Sequence, residues 1–228
     1  CLGEAARAAG HGLLLHNLRG QEGSAFTSNR FDEASIVSDA MALLEEVRPV
    51  RPVHVGLSIG GLFALKAHLA GGTGKARGIV LINTLRKAGA RLDWVNDAVV
   101  RAAEVGGLEL LRDLYSPLLM NEDWQAANRS AFLGPGGYKP LPENSGALML
   151  MKSGSTADWS VAYEKVDVPT LVITGLQDRV FYKADDVDEL ARRLPSGQRL
   201  DMPDAGHMVP VEQPEKLARA IVEFAGAL

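Results

Sequence analysis

H-V-G-L-S-I-G-G-L-F-A-L-K-A-H-L occupies residues 54–69. It begins as an apolar run, passes through Gly56-Leu57-Ser58-Ile59-Gly60, and continues with Leu62, Leu65 and Leu69 at helical spacing. Such a pattern predicts a buried strand that turns sharply into a helix at Ser58. A turn of this kind lifts a serine hydroxyl clear of a sheet, the arrangement known as a nucleophile elbow. Side chains at Gly56 or Gly60 are expected to collide where strand and helix meet, and the Ile59 N–H is expected to point where an oxyanion would form. A glycine-rich turn with a solvent-facing serine would carry the same pentapeptide, so the flanking elements and the residues downstream have to decide its meaning.

The flanks supply a repeated strand and helix rhythm. Residues 2–10 read as a helix tail stopped at Gly10, and Leu13-Leu14-Leu15-His16 as a short buried strand. Ile36, Ala40, Leu43, Leu44 and Val47 keep a 3.6-residue period, closed by Pro49 and Pro52. After the elbow helix, Gly71 to Gly74 read as a flexible turn and 78–83 as a buried strand. Gly71 to Gly74 lack the G-K-[ST] or G-x-G-x-x-G context of a phosphate cradle. Residues 170–174 form another apolar run, 185–194 a helix, 198–202 a last strand, and Leu217, Ile221, Phe224 and Leu228 one face of a closing helix. Strands alternating with helices imply an α/β fold, a mostly parallel sheet covered on both faces.

Residues 84–164 interrupt that rhythm. They read as short helices around 94–105, 108–120 and 124–132, a Gly/Pro-rich loop near 134–142, and a helix near 147–151, with no strand signal. The expected organisation is a core in two parts, 1–83 and 165–228, with a helical cap inserted at 84–164 over the carboxyl edge of the sheet, where ligands bind in such folds. Leu114, Leu118, Trp124, Met149 and Met151, with Trp159, are candidates to line an apolar substrate pocket; packing of the cap itself accounts for such residues equally well.

Composition narrows the function. A chain of 228 residues that is 46% hydrophobic supports one substantial core. A net charge of −4 with no Lys/Arg cluster offers no field for gathering nucleic acid, and no apolar run reaches the length of a membrane span. The single cysteine, Cys1, excludes an internal disulfide framework and a thiolate metal site, and suits a reducing, cytoplasmic setting. Because the first residue is Cys rather than Met, the natural start of the chain is expected to lie further upstream.

Ser58, Asp178 and His207 each fall just past the carboxyl end of an expected strand, so a parallel sheet would gather them at one edge. The chemistry requires each type: a serine hydroxyl needs a neutral imidazole to take its proton, and a carboxylate to hold the imidazole and stabilise its charged form. The other candidates are weaker. His54 and His16 read as strand-interior core residues, His11 and His68 as helix-terminal or surface residues, and Asp201 and Asp204 as solvated acids flanking His207, with Asp204 the fallback acid. Arg179 is placed to neutralise Asp178.

Three blocks, V-G-L-S-I-G-G from 55, P-T-L-V-I-T-G-L-Q-D-R-V from 169 and A-G-H-M-V-P-V-E-Q-P-E from 205, resemble the nucleophile, acid and histidine blocks of α/β-hydrolase fold enzymes with a helical cap, such as enol-lactonases, carboxylesterases, carbon–carbon bond hydrolases and cofactor-free haloperoxidases. The resemblance covers essentially the whole chain. It implies Ser58 as nucleophile, Asp178 as orienting acid, His207 as base, the Ile59 amide as one oxyanion donor, and no metal or organic cofactor. A serine at the elbow separates the chain from relatives with aspartate there, the haloalkane dehalogenases and epoxide hydrolases. The resemblance further implies a small-molecule ester or lactone as substrate, and leaves open a carbon–carbon bond hydrolase, a perhydrolase, or a catalytically silent fold that binds a ligand. Two departures stand out. The family loop D-x-R-G-x-G-x-S is N-L-R-G-Q-E-G-S here, with Asn17 and Glu22 substituted, and the family's first strands and its His-Gly loop, carrier of the second oxyanion donor, would precede Cys1.

Overall fold

The computed structural model describes residues 2–21, 23–25 and 31–228. Glu22, whose presence in the 17–24 loop departs from the family pattern, lies outside the described residues. A helix α1 (Leu2–Ala8) precedes α2 (Glu33–Val47), which Asp32 caps by accepting from the Ser35 N–H at 2.9 Å. The alternation that follows is β1 (Val53–Leu57), α3 (Ile59–Ala70), β2 (Gly78–Ile82), α4 (Ala90–Leu119), α5 (Glu122–Asn128), α6 (Gly146–Ser155), β3 (Thr170–Gly175), α7 (Ala184–Arg192), β4 (Gly197–Met202), α8 (Val209–Glu212) and α9 (Pro214–Gly226). The four strands pair in parallel in the order β1-β2-β3-β4.

Period-two alternation along β2 explains why both faces are covered. Ile79 and Leu81 point into one apolar layer with Leu62 and Leu65 of α3 and Val187 and Leu190 of α7. Val80 and Ile82 point into the opposite layer with Leu217, Ile221 and Phe224 of α9, against which α1 also packs. A strand apolar on both sides is what a parallel sheet between two helical layers requires.

The run Leu13 to His16, expected to be a buried strand, is neither a strand nor buried: Leu15 is 83% exposed. An apolar tetrapeptide becomes a strand only where a neighbour supplies the hydrogen-bond ladder, and these residues pair with none of the four strands. His16 consequently has no strand to be buried in. Residues 72–74, expected to be a flexible turn, form a 3₁₀ turn in which a Cβ at Gly74 would come within 2.2 Å of the Ala67 carbonyl oxygen. His68 is not a surface residue: it closes α3 with only 1% of its surface exposed. Its Nδ1 accepts from the Ala76 N–H at 3.1 Å, so Nε2 carries the proton and donates to Asp167 at 2.9 Å.

Between β2 and β3 the described residues hold helices and no strand. The helices expected at 94–105 and 108–120 are continuous as α4 but break direction at Gly107, whose φ of 71° and close approach to the Lys139 carbonyl, 2.2 Å from a would-be Cβ, admit only glycine. Helix α4 packs on α6, and its last turn reaches back to the sheet edge, where the Leu119 carbonyl accepts from the His207 N–H at 2.5 Å and the Leu118 carbonyl from the Arg179 N–H at 2.8 Å. No helix among the described residues is long and apolar enough to cross a membrane.

Candidate active site

The strand-to-helix turn puts Ser58 at φ 57°, ψ −124°, a conformation a non-glycine residue holds only when its surroundings over-determine it. Those surroundings are identifiable. The Ser58 N–H donates to the Ile82 carbonyl of β2 at 2.7 Å, and the Gly61 N–H donates to the Ser58 carbonyl at 3.1 Å. A Cβ at Gly56 would lie 2.3 Å from the Gly61 nitrogen, as expected for the tight turn. The expectation for Gly60 fails, because a Cβ there meets nothing within 4 Å. The second obligatory glycine is Gly61, where a Cβ would lie 2.0 Å from Thr84 Oγ1. Helix α3 crosses the residues following β2 so closely that only a hydrogen fits between them.

Asp178 follows β3 and His207 follows β4. His207 Nδ1 donates to Asp178 Oδ2 at 2.7 Å, and both side chains are buried. The other carboxylate oxygen, Oδ1, accepts from the Val180 and Phe181 N–H groups at 3.0 and 2.9 Å. Burial alone pushes the Asp178 carboxyl up; the hydrogen bond and charge of His207 and the two amides overcome it, and the group sits below the usual carboxylate range. Asp178 is therefore an anion that accepts three hydrogen bonds, one at Oδ2 and two at Oδ1. Asp204, the fallback acid, pairs instead with Lys216 at the surface, and Asp201 pairs with Arg199. Arg179 turns away from its neighbour Asp178 to face Glu122 at 3.5 Å. His54, on β1, is partly buried, and its Nε2 is buried without a partner.

The cation at the site is Arg86, four residues beyond β2, which the sequence reading did not single out. It is only 6% exposed, and its Nη2 donates to Ser58 Oγ at 2.5 Å and to the Asn83 carbonyl at 3.4 Å. Its guanidinium lies 3.8 Å from the centroid of Phe181 and 4.9 Å from that of Trp159. Phe181 in turn sits 5.0 Å from the His207 ring. Desolvation lowers the Arg86 pKa to about 10, with the Asp178 charge opposing the shift, and the group remains a cation at neutral pH. Among the described residues no hydrogen bond joins Ser58 to His207; the hydroxyl oxygen accepts from Arg86 and keeps its own proton to donate.

Asn83 was also missed. At φ 49° it accepts from the Gly175 N–H at 2.8 Å and donates through Nδ2 to the Gly206 and His207 carbonyls at 3.0 and 2.9 Å, tying β2, β3 and the histidine loop together. Glu212 adds a second tie, its Oε2 accepting from Gly206 N–H at 2.8 Å and Asn121 N–H at 2.6 Å.

The expected substrate-contacting residues scatter. Leu114 and Leu118 are exposed on α4, Trp124 packs edge-on against Phe132 at 5.6 Å, Met149 is buried with Phe31, Ile36 and Phe63 near Ile59, and Met151 is partly exposed. None lines the cleft of about 540 Å³ that borders Arg86; Trp159 does, with Tyr163 and Arg193.

A parallel sheet with a strained serine elbow after one strand, an acid after a later strand and a histidine after the last defines an α/β-hydrolase fold. The chain matches the model of the alpha/beta hydrolase family over residues 2–220 and belongs to that family. It is 27% identical over 231 aligned positions, 95% of this chain and 84% of the other, to a Mycobacterium tuberculosis protein that carries the name non-heme bromoperoxidase BpoC. Its fold is similar to that of the enol-lactonase from Burkholderia xenovorans, with a TM-score of 0.72 and 21% identity over 91% of this chain and 78% of that one. A thermophilic esterase from Thermogutta terrifontis is similar to the same degree, with a TM-score of 0.71 and 22% identity over 91% and 77%. The protein is an enzyme of the α/β-hydrolase class.

Proposed function

We propose that the protein is a serine hydrolase that cleaves a carboxylic ester, lactone or related carbonyl compound through an acyl-enzyme. The observation that carries the reading is the buried His207–Asp178 hydrogen bond of 2.7 Å at the sheet edge where the elbow presents Ser58. With Nδ1 donating to the carboxylate, His207 Nε2 is the basic nitrogen. In the proposed reaction Ser58 Oγ attacks the carbonyl carbon as its proton passes to His207 Nε2, and the carbonyl electrons become an oxyanion held by the Ile59 N–H. Collapse breaks the bond to the leaving oxygen, which takes the proton from His207. A water molecule then attacks the acyl-enzyme, giving its proton to His207, and Ser58 leaves with that proton as the acid is released. Asp178 stabilises the imidazolium in both halves.

Residues 84–164 serve in this reading as a lid over the site, a role supported by the docking of the α4 carboxyl end on the His207 loop. A second reading, perhydrolysis of an acid by the same three residues with peroxide in place of water, is favoured by the likeness to the bromoperoxidase. Labelling with a fluorophosphonate probe tests the shared core of both. Labelling of the wild type that vanishes in Ser58→Ala supports an activated serine; a folded wild type that does not label removes it. Acid release from short-chain esters, set against monochlorodimedone bromination with acetate and peroxide, then separates the two readings.

A further inference from the structure

Arg86 is a buried cation without an anion of its own. Asp178, the nearest carboxylate to influence it, spends its oxygens on His207 and on the Val180 and Phe181 amides. The exposed cations of the adjoining cleft are already balanced, Lys87 by Glu189 and Arg193 by Glu164. Among the described residues no carboxylate forms an ion pair with Arg86, and its Nε is buried with no hydrogen-bond partner. The two other large polar residues of the cleft wall repeat the pattern: Trp159 Nε1 and Tyr163 Oη are both buried without partners. Desolvation pushes the Tyr163 hydroxyl up to about 12, so at neutral pH it holds its proton and is a donor. Trp159, its ring 4.9 Å from the guanidinium, and Tyr163 line the same cleft as Arg86, so the unmet capacity on this wall is donor capacity beside a fixed positive charge, which is what an anion-binding site supplies.

We propose that Arg86, with Trp159 and Tyr163, forms a subsite for a carboxylate carried by the substrate, so that the preferred substrates are half-esters or lactone acids rather than neutral esters. The proposal rests on the hydrolase reading given above and narrows its substrate class. Two features argue for the substrate's own carboxylate over an unrelated anion. The guanidinium touches the candidate nucleophile directly, with Nη2 2.5 Å from Ser58 Oγ, so a carboxylate on Arg86 lies within a few bonds of any carbonyl that Ser58 attacks. From the width of a guanidinium fork, about two or three methylenes would separate the two groups. The stacking of Arg86 against Phe181 and Trp159 holds the fork in place before substrate arrives, which lowers the ordering cost of binding. A carboxylate drawing on Arg86 would also compete for the donor now bound to Ser58 Oγ, leaving the hydroxyl free to turn to His207.

The test compares wild type with Arg86→Met, Arg86→Lys and Tyr163→Phe in two measurements. The first is calorimetric binding of glutarate, which needs no turnover. The expected result is at least a tenfold weaker dissociation constant in Arg86→Met, with partial recovery in Arg86→Lys. Tyr163→Phe keeps the ring and so guards against a folding failure; it is expected to bind glutarate several-fold more weakly while melting no lower than wild type, since the hydroxyl it removes is unpartnered in the free protein. The second is the ratio of kcat/KM for mono-p-nitrophenyl glutarate to that for p-nitrophenyl valerate, expected to favour the acid at least tenfold in wild type and to collapse towards unity in Arg86→Met. Glutarate binding indifferent to both Arg86→Met and Tyr163→Phe overturns the subsite, as does a parallel fall in both esters with the ratio unchanged. Inorganic phosphate binding as tightly as glutarate would mark a general anion site and overturn the carboxylate assignment. If wild type turns over neither ester and does not label with the fluorophosphonate probe, the hydrolase reading fails, while the glutarate arm still decides the subsite.

Discussion

Replacing Asn83 by alanine would remove the tie on which the histidine loop hangs. Three buried hydrogen bonds go with the side chain, from Gly175 N–H at 2.8 Å and to the Gly206 and His207 carbonyls at 3.0 and 2.9 Å. At a net worth of about 1 kcal/mol each they contribute about 3 kcal/mol. The backbone adds to this. Asn83 sits at φ 49°, which asparagine tolerates and alanine does not, at a further cost of roughly 1 kcal/mol. The expected total is about 4 kcal/mol, or a fall of about 10 °C in the melting temperature for a chain of this size. Asn83→Gly separates the two contributions, because glycine removes the side chain and accepts the dihedral, and it is expected to cost about 3 kcal/mol. Asn83→Asp keeps an acceptor for Gly175 but points a second acceptor at two carbonyls, and is expected to be at least as harmful as alanine. Urea melts of the four proteins, with matched slopes, measure the differences. A cost below about 1 kcal/mol for Asn83→Ala, or a glycine variant as stable as wild type, would refute the assignment of this residue as the tie between β2, β3 and the His207 loop.

Other substitutions probe other parts of the site. Gly61→Ala is expected to lose several kcal/mol because its methyl group would fall 2.0 Å from Thr84 Oγ1, with partial recovery in a Gly61→Ala, Thr84→Ala double variant; Gly60→Ala, with open space around it, is expected to change the melting temperature little. Asp178→Asn is expected to cut any ester turnover by about 10⁴-fold, measured as kcat/KM, by depriving His207 of its charged acceptor. The pH dependence follows from the same residue. Its folded pKa lies below the unfolded value, so its contribution to stability is complete above the unfolded carboxylate range and is lost as pH falls from about 4 through the folded pKa. Acid melts of wild type should accordingly lose more stability below about pH 4 than those of Asp178→Asn. Glu212→Ala orphans the Gly206 and Asn121 N–H groups and is expected to cost about 2–4 kcal/mol, whereas Glu212→Gln keeps one acceptor and should cost under about 1 kcal/mol by thermal melting.

The elements that a local pattern determines were legible in the sequence. β2 is apolar on both faces over 78–82 because helices cover both sides, and α9 carries Leu217, Ile221 and Phe224 at helical spacing because only one of its faces is covered. The misreadings share one cause, which is that the deciding contact is remote in sequence. Leu13 to Leu15 look like a strand until the absence of a pairing partner among the four strands is known. His68, read as a helix-terminal or surface residue, does lie in the last turn of α3 but is buried there, its Nε2 bonded to Asp167 ninety-nine residues away. Gly60 and Gly61 are indistinguishable in a Gly-Gly pair until Thr84 arrives against one of them.

Arg86 and Asn83 were within reach of the rule that selected the other site residues. Ser58 follows β1, Asp178 follows β3 and His207 follows β4; the residues just past the carboxyl end of β2 are Asn83 to Arg86, at the same edge of the same parallel sheet. Every strand of this sheet therefore delivers polar side chains to one place, and a charged residue there is presented to the site however much its type suggests solvent. The charges then divide in one way. Asp178 commits one oxygen to His207 and the other to two backbone amides, and among the described residues no ion pair joins it to Arg86. Asp178 is satisfied by the protein alone, whereas the arginine beside it, wrapped in aromatic rings and bonded to a hydroxyl, is satisfied only in part. A buried cation left short of an anion in the free protein gains most from a ligand that brings one, so the proposed subsite puts substrate selection at Arg86 rather than at the His207–Asp178 pair.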